Sequence, residues 1–331
     1  MPAPPLDVVG IGNAIVDVIA QADDAFLARQ GLAKGAMLLV DAARAEALYA
    51  EMGPGIEMSG GSAGNTMAGI ASLGGKGAYI GKVADDQLGR VYAHDMRATR
   101  VRFETAPLTG GAPTARSLIL VTPDAQRTMN TFLGACVELG PEDIDRTVIE
   151  AAHVTYLEGY LFDPPRAKAA FQKAAEIAHG AGRKVSLTLS DAFCVERYRR
   201  EFRALIEGHV DILFANEAEI TALYETKDFD RALAAVRGKC EIAALTRSER
   251  GSYVVTAEKT ESVPAVKVAK LVDTTGAGDL YASGFLFGLT HGRDLVTCGR
   301  LGSLAAAEVI GHYGARPEAS LKTLANEAGL L

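Results

Sequence analysis

The side chains best placed to do chemistry sit in residues 269–289, AKLVDTTGAGDLYASGFLFGL. The spacing predicts a strand over AKLVD (269–273), a turn of small residues, and then an apolar helix carrying Gly284 and Gly288. Gly276, Ala277 and Gly278 leave backbone N–H groups uncovered at a helix N-terminus, where unpaired donors and the positive dipole end favour an anion such as a phosphate. Asp279 falls in the same first turn, so its carboxylate can accept the proton of a hydroxyl that attacks a phosphate held there. An acid in a first turn often does no more than complement the dipole. Two acids bracketing two threonines and a Gly-Ala-Gly are more than turn-making requires.

Three further segments have donor and acceptor groups in patterns that suit a polyol and a nucleotide. In GGSAGN (60–65) the glycines permit close backbone approach, and Asn65 offers both a donor and an acceptor. GIGNAIVD (10–17) resembles a dinucleotide fingerprint only superficially, because Ile15 stands at the third glycine position and no helical pattern follows. Asp17 in that segment can accept two hydrogen bonds from a vicinal diol, or serve as an ordinary turn acid. NEAE (216–219), directly after the apolar run VDILFA, has the form of a capping box. A GxxxxGK[ST] loop is absent, as are the protein-kinase constellations, and the six histidines show no metal-ligand spacing.

Taken together, these segments resemble the ribokinase-like family, the phosphofructokinase-B-type carbohydrate and nucleoside kinases. Residues 273–279 match its C-terminal signature, GGSAGN with the helical TMAGIASLGG after it matches the N-terminal one, and the resemblance covers nearly the whole chain. It implies that Asp279 is the catalytic base and that Gly276, Ala277 and Gly278 form the anion hole for the transferred phosphoryl group. Asn13, Asp17, Gly61 and Asn65 become substrate-facing. Asn216 and Glu219 organise Mg2+ through its waters, as suits an ion that keeps much of its hydration. Asn216, Thr246 and Gly251, with Gly276 and Gly278, are expected to border ATP. In LTRSERGSYVV (245–255), Ser248 stands where a glycine is common, and in GKVADDQLG (81–89) Ala84 replaces a frequent glycine. The loop after LAAAEVIG (304–311) is expected to border the adenine, with Asp273 and Thr275 as a candidate K+ site.

Within the family the adenosine-kinase branch is the nearest match, through GN-x3-D, GGS-x2-N and YLEGYLF (156–162). Tyr160 falls where that branch places an aromatic ring that can stack on a purine, and Leu38 can close the other side of a base slot. Arg127 falls where an arginine steadies phosphates. The implied activity is ATP-dependent transfer of the γ-phosphoryl group to the 5′-hydroxyl of a nucleoside, adenosine first. Ribose or a related sugar, and inosine or guanosine, are the alternative acceptors.

The elements that must position these groups are legible in the apolar rhythm. From about residue 140, strand-length runs at 184–190, 210–215, 242–246, 252–257 and 269–273 alternate with helical patterns such as 166–182, predicting βαβ units and a mainly parallel sheet in three α/β/α layers. DVVGIG (7–12) and AYIGKV (78–83) add core strands. IVDVIAQ (15–21), AMLLV (36–40), ARSLILVT (115–122) and RTMNTFL (127–133) lack long intervening helices and predict a small separate sheet, read as a lid. One domain over 1–331 is expected, with the lid formed by excursions at about 14–42 and 100–134. With 34 Lys plus Arg against 41 Asp plus Glu, a net charge of −7 and no basic run, the chain cannot neutralise a row of phosphates, so nucleic acid is not an expected partner. No secretory pattern opens MPAPPLDVVGIG, no run reaches the ~20 apolar residues of a membrane helix, and the four dispersed cysteines form no CxxC pair. A cytoplasmic protein, monomer or homodimer, without a membrane partner is expected.

Overall fold

The computed structural model describes residues 5–124, 126–162 and 164–331; the first four residues of the stretch without a leader pattern lie outside them. The first half contributes β1 (Leu6–Ile11), β2 (Ile15–Gln21), β3 (Met37–Leu39), β4 (Gly55–Ser59), β5 (Gly77–Ile80), β6 (Arg102–Phe103), β7 (Ala115–Val121) and β8 (Arg127–Phe132). The second half contributes β9 (Ala152–Glu158), β10 (Lys184–Thr188), β11 (Ile212–Asn216), β12 (Ile242–Thr246), β13 (Ser252–Val255) and β14 (Thr260–Val263).

Nine strands form the large sheet in the order β14-β13-β12-β11-β10-β9-β1-β5-β6. From β12 to β6 every pairing is parallel, and β13 and β14 add antiparallel edge strands. Strand alternation divides the core into two layers. Val8, Tyr156, Phe214 and Ala244 face the helices Ser62–Ser72, Ala277–Thr290 and Leu295–Val309. Val9, Ile11, Leu157, Leu187, Leu213 and Leu245 face the helices Pro165–Gly180 and Ala192–His209. The result is the expected α/β/α sandwich. Both faces of the sheet are covered, which explains near-continuous apolar runs such as ILFAN.

β1 lies inside the sheet; the chain first extends from it through β5 and β6, then returns to build outward from its other side through β9. At such a reversal the connections leave in opposite directions and open a crevice at the carboxyl ends of the strands. Helix Ala277–Thr290 is buried continuously from Leu280 to Gly288, so its N-terminus is held rigidly over that crevice. Gly284 allows the close fit: a Cβ there would lie 2.3 Å from the Leu301 carbonyl of the neighbouring helix.

The second sheet has the order β3-β8-β7-β2-β4. On one face Val16, Val18, Leu118 and Leu120 pack with Leu27, Ala45 and Leu48 of the helices Asp24–Arg29 and Ala42–Glu51. Alternation puts Asp17, Ser117 and Thr131 on the other face, where the Ser117 and Thr131 hydroxyls bond at 2.9 Å. β4 joins this sheet from between the two expected excursions, while β6, inside the second of them, joins the large sheet.

One expected strand is absent. AKLVD (269–273) is irregular: Leu271 is 59% exposed, and the Val272 N–H donates to the Ile310 carbonyl at 2.9 Å instead of to a strand. The edge is already closed by β14, which was not expected, and from there the chain crosses the strand ends to reach Gly276. The glycine turn is therefore a loop-to-helix junction. Among the described residues no helix is long and apolar enough to cross a membrane.

Candidate active site

Polar residues collect where the parallel strands end. Asn13 follows β1, Glu158 ends β9, Asn216 ends β11, and Thr246 pairs with Asn216 at the end of β12. Gly276 caps the helix Ala277–Thr290 in the left-handed region, φ 79°, and a Cβ there would come within 2.8 Å of Ala315. The N–H groups of Gly276, Gly278 and Asp279 have no acceptor among the described residues. Ala277, expected to donate alongside them, spends its N–H on the Thr274 carbonyl at 3.2 Å, because that bond closes the turn.

The two glycine-rich segments meet at Asp279. Its Oδ1 accepts the Ser62 hydroxyl at 2.6 Å and its Oδ2 accepts the Asn65 amide at 3.0 Å. Burial pushes the Asp279 pKa above the ordinary carboxylate value, while the two donors pull it back. Gly61, at φ 83°, starts the helix that carries Ser62 and Asn65; a Cβ at this position would lie 2.1 Å from the Asn13 carbonyl. Gly60 leaves room for Asp17, whose oxygen would lie 2.4 Å from an added Cβ. Burial raises Asp17 to about 6, against the pull of Arg316 and Arg127 and with a further push from Asp279.

Glu158 fastens the switch point. Its carboxylate, 1% exposed, accepts the Asn13 backbone N–H at 3.3 Å, the Asn13 Nδ2 at 2.9 Å and the Ala63 N–H at 2.8 Å. Burial raises its pKa to about 7 despite these donors. Asn13, expected to face substrate, thus commits Nδ2 to the protein and keeps Oδ1.

Arg127, on β8, pairs with Asp273 at 2.8 Å, both side chains under a tenth exposed. Its Nε and Nη2 are buried without a partner among the described residues. The remaining Asp273 bonds run to the Thr275 N–H and hydroxyl and to the Gly314 N–H, so the carboxylate expected to border K+ is already neutralised by a guanidinium. Gly314 belongs to the loop after helix Leu295–Val309 that was expected to border adenine.

Asn216 and Glu219 form a complete capping box: Asn216 Oδ1 accepts the Glu219 N–H, and the Glu219 carboxylate accepts the Asn216 N–H and Nδ2. Burial lifts Glu219 to about 7, and the charges of Asp191 and Asp279 add to the rise. Gly251 has φ 82°, and Ser248, in the place of a glycine, adopts φ 52°. Leu38 on edge strand β3 and Tyr160 after β9 are 55% and 40% exposed.

A triphosphate fits this site on two observations: the orphaned nitrogens of Arg127 and the unaccepted N–H groups at the helix start. Magnesium fits through waters, because buried Glu219 is crowded by other negative charges, yet no metal-ligand cluster of three or more His, Cys, Asp or Glu occurs among the described residues.

Ser62, Glu158 and Arg316 were not singled out from sequence. Ser62 lay within GGSAGN and Glu158 within YLEGYLF, two residues before Tyr160. Nothing around Arg316 separates it from a surface arginine.

A ribokinase-like α/β fold with a buried acid at a helix start whose N–H groups lack acceptors among the described residues defines the class. The pfkB family carbohydrate kinase model matches residues 56–322, and the chain belongs to that family. The adenosine kinase from Sinorhizobium meliloti superposes with a TM-score of 0.91 at 60% identity, covering 98% of this chain and 99% of that one. A probable sugar kinase protein from Rhizobium etli gives a TM-score of 0.93 at 54% identity, covering 99% and 100%. The adenosine kinase of Saccharomyces cerevisiae is 27% identical over 328 residues, 92% of this chain and 95% of its own length. The chain is accordingly an ATP-dependent phosphotransferase that acts on a hydroxyl group.

Proposed function

We propose that this chain is a nucleoside kinase that transfers the γ-phosphoryl group of ATP to the 5′-hydroxyl of adenosine. The observation that carries the reading is the meeting of Asp279 with Ser62 and Asn65 at a buried helix start. Asp17, Gly61, Asn65 and the free Oδ1 of Asn13 hold the ribose, and Tyr160 and Leu38 flank the base. Asp279 takes the proton of the attacking hydroxyl, while the N–H groups at Gly276 and Gly278, with Arg127, receive phosphoryl charge. Thr246 and Gly251 border the nucleotide. Asn216 and Glu219 are the residues that would hold magnesium through its waters, and the ion would neutralise phosphate charge. The small sheet acts as a lid on a single domain, excluding water that would otherwise hydrolyse ATP. The occupied Asp273 leaves potassium without support at that position. The protein is read as cytoplasmic, a monomer or homodimer.

Phosphorylation of ribose or a related sugar is the second reading, supported by the likeness to the Rhizobium etli protein. A coupled assay with Mg-ATP across adenosine, inosine, guanosine, ribose and fructose separates the two, and faster turnover of a free sugar than of any nucleoside overturns the first. Asp279→Asn is expected to lower kcat by about 10²–10⁴-fold with adenosine affinity nearly intact. Unchanged turnover removes Asp279 from the mechanism.

A further inference from the structure

The loop that follows helix Leu295–Val309 touches three parts of the site at once. The Ile310 carbonyl accepts the Val272 N–H at 2.9 Å, and the Gly314 N–H donates to the Asp273 carboxylate at 3.2 Å. Ala315 packs against Gly276, where an added Cβ would lie 2.8 Å from it. Arg316 donates from Nε to the Asn65 Oδ1 at 3.4 Å. Asp273 and Gly276 stand before the helix start and Asn65 lies far from them in the chain, so this loop joins segments that sequence keeps apart.

From His312 to Ala319 no backbone group of the loop bonds to another backbone group among the described residues. A segment without such a ladder takes its position from the side chains that reach its N–H and C=O groups. Besides Asp273, the side chain that does so most fully is Glu308, in the last turn of the preceding helix. Its Oε1 accepts the Glu318 N–H at 2.9 Å and the Ala319 N–H at 2.8 Å, while its Oε2 is buried without a partner among the described residues. The side chain is 8% exposed, and the His312 imidazole lies 3.3 Å from the same Oε1. Ser72 adds a longer bond, from its hydroxyl to the Ala319 carbonyl at 3.5 Å.

We propose that Glu308 is a positioning residue: by holding the far end of this loop it sets Gly314, Ala315 and Arg316 against Asp273, Gly276 and Asn65, and so supports the phosphate side and the acceptor side together. The inference rests on the proposed roles of Gly276 and Asn65. The hydrogen bonds of the Glu308 side chain run to the loop alone. A loop displaced for part of the time leaves a smaller competent population, and apparent dissociation constants rise by the inverse of that fraction.

The test is steady-state kinetics of wild-type, Glu308→Ala and Glu308→Gln proteins with Mg-ATP and adenosine, each varied in turn. Alanine removes the acceptor for both N–H groups, and KM should rise for both substrates by about tenfold, the scale set by losing a hydrogen bond to a charged group. Glutamine keeps a carbonyl oxygen there while giving up the charge that faces His312, and should bring both constants to within about threefold of wild type. Unchanged KM values in the alanine variant, with only kcat or the unfolding midpoint lowered, overturn the proposal, because a residue that serves folding alone costs active enzyme and not affinity. A rise confined to one substrate also overturns it. So does a glutamine variant no better than alanine, which would place the effect in the charge toward His312. Glu308→Asp, which draws the acceptor back by one methylene, replaces the alanine variant should that one not fold. If the wild type phosphorylates ribose and not adenosine, the nucleoside reading fails separately, and the same kinetics with ribose still decide the role of Glu308.

Discussion

Asp279 and Glu158 are two buried carboxylates with different surroundings. Asp279 accepts two side-chain donors, Ser62 and Asn65, and no backbone N–H, which suits the proton-accepting role proposed for it. Glu158 is held by two backbone N–H groups and the Asn13 amide, fixing the ends of β1 and of the loop before helix Ser62–Ser72. Gly12 makes this possible, since a Cβ there would lie 2.3 Å from the Glu158 carboxylate. A prediction follows from the sign of the Glu158 shift. Its folded pKa of about 7 lies above its ordinary 4.5, so the folded state binds the extra proton and Glu158 costs stability as pH rises between these values. Glu158→Gln resembles the protonated form at all pH. The stability of the variant relative to wild type should therefore improve between pH 4.5 and about 7, by on the order of 3 kcal/mol if the whole shift is expressed. Denaturant unfolding of both proteins at several pH values checks this, and a stability difference independent of pH contradicts it.

At the scale of elements, the turn between β12 and β13, proposed to border the nucleotide, contains one avoidable cost. Ser248 takes φ 52° between β12 and β13, in a region a side chain rarely adopts and glycine enters freely. Ser248→Gly should stabilise the protein by about 0.5–1 kcal/mol, read from the shift of its unfolding midpoint; a fall in stability means that the serine side chain contributes more than its backbone strain. The same turn shows what sequence can convey. The departure at Ser248 is visible by its place in LTRSERG, but the glycine-like conformation that the backbone keeps there is not. DTTGAGD and GGSAGN were legible because small residues, acids and amides in that order have few structural uses. AKLVD misled because a short apolar run reads as strand whether it pairs with a sheet or, as here, with a single carbonyl beyond a helix. Glu158 and Arg316 stayed hidden for a different reason: their partners are distant in the chain, and burial is what gives each its role.

For the whole molecule, the decisive contact is the one that ties the small sheet to the large one over the crevice. Arg127 of β8 and Asp273 of the loop before the helix start form a nearly dry ion pair, and Asp273 is bonded in turn to Thr275 and Gly314. Removing one member of a buried pair usually costs more than removing both, because the survivor stays charged and unpaired. Asp273 keeps three other donors, so Arg127→Gln should cost about 1–3 kcal/mol, below the usual range for a broken buried pair. If the small sheet is a lid, this variant should also transfer phosphoryl groups more slowly and hydrolyse a larger share of its ATP without acceptor, since water reaches an incompletely closed site. Adding Asp273→Asn to it should recover part of the lost stability while leaving transfer low, because the double change removes the uncompensated charge but not the need for a cation at the phosphates. Strictly additive stabilities would mean that the pair is not coupled. A wild-type transfer rate in Arg127→Gln would mean that Arg127 only fastens the small sheet to the loop before the helix start, and that its own orphaned nitrogens serve no phosphate.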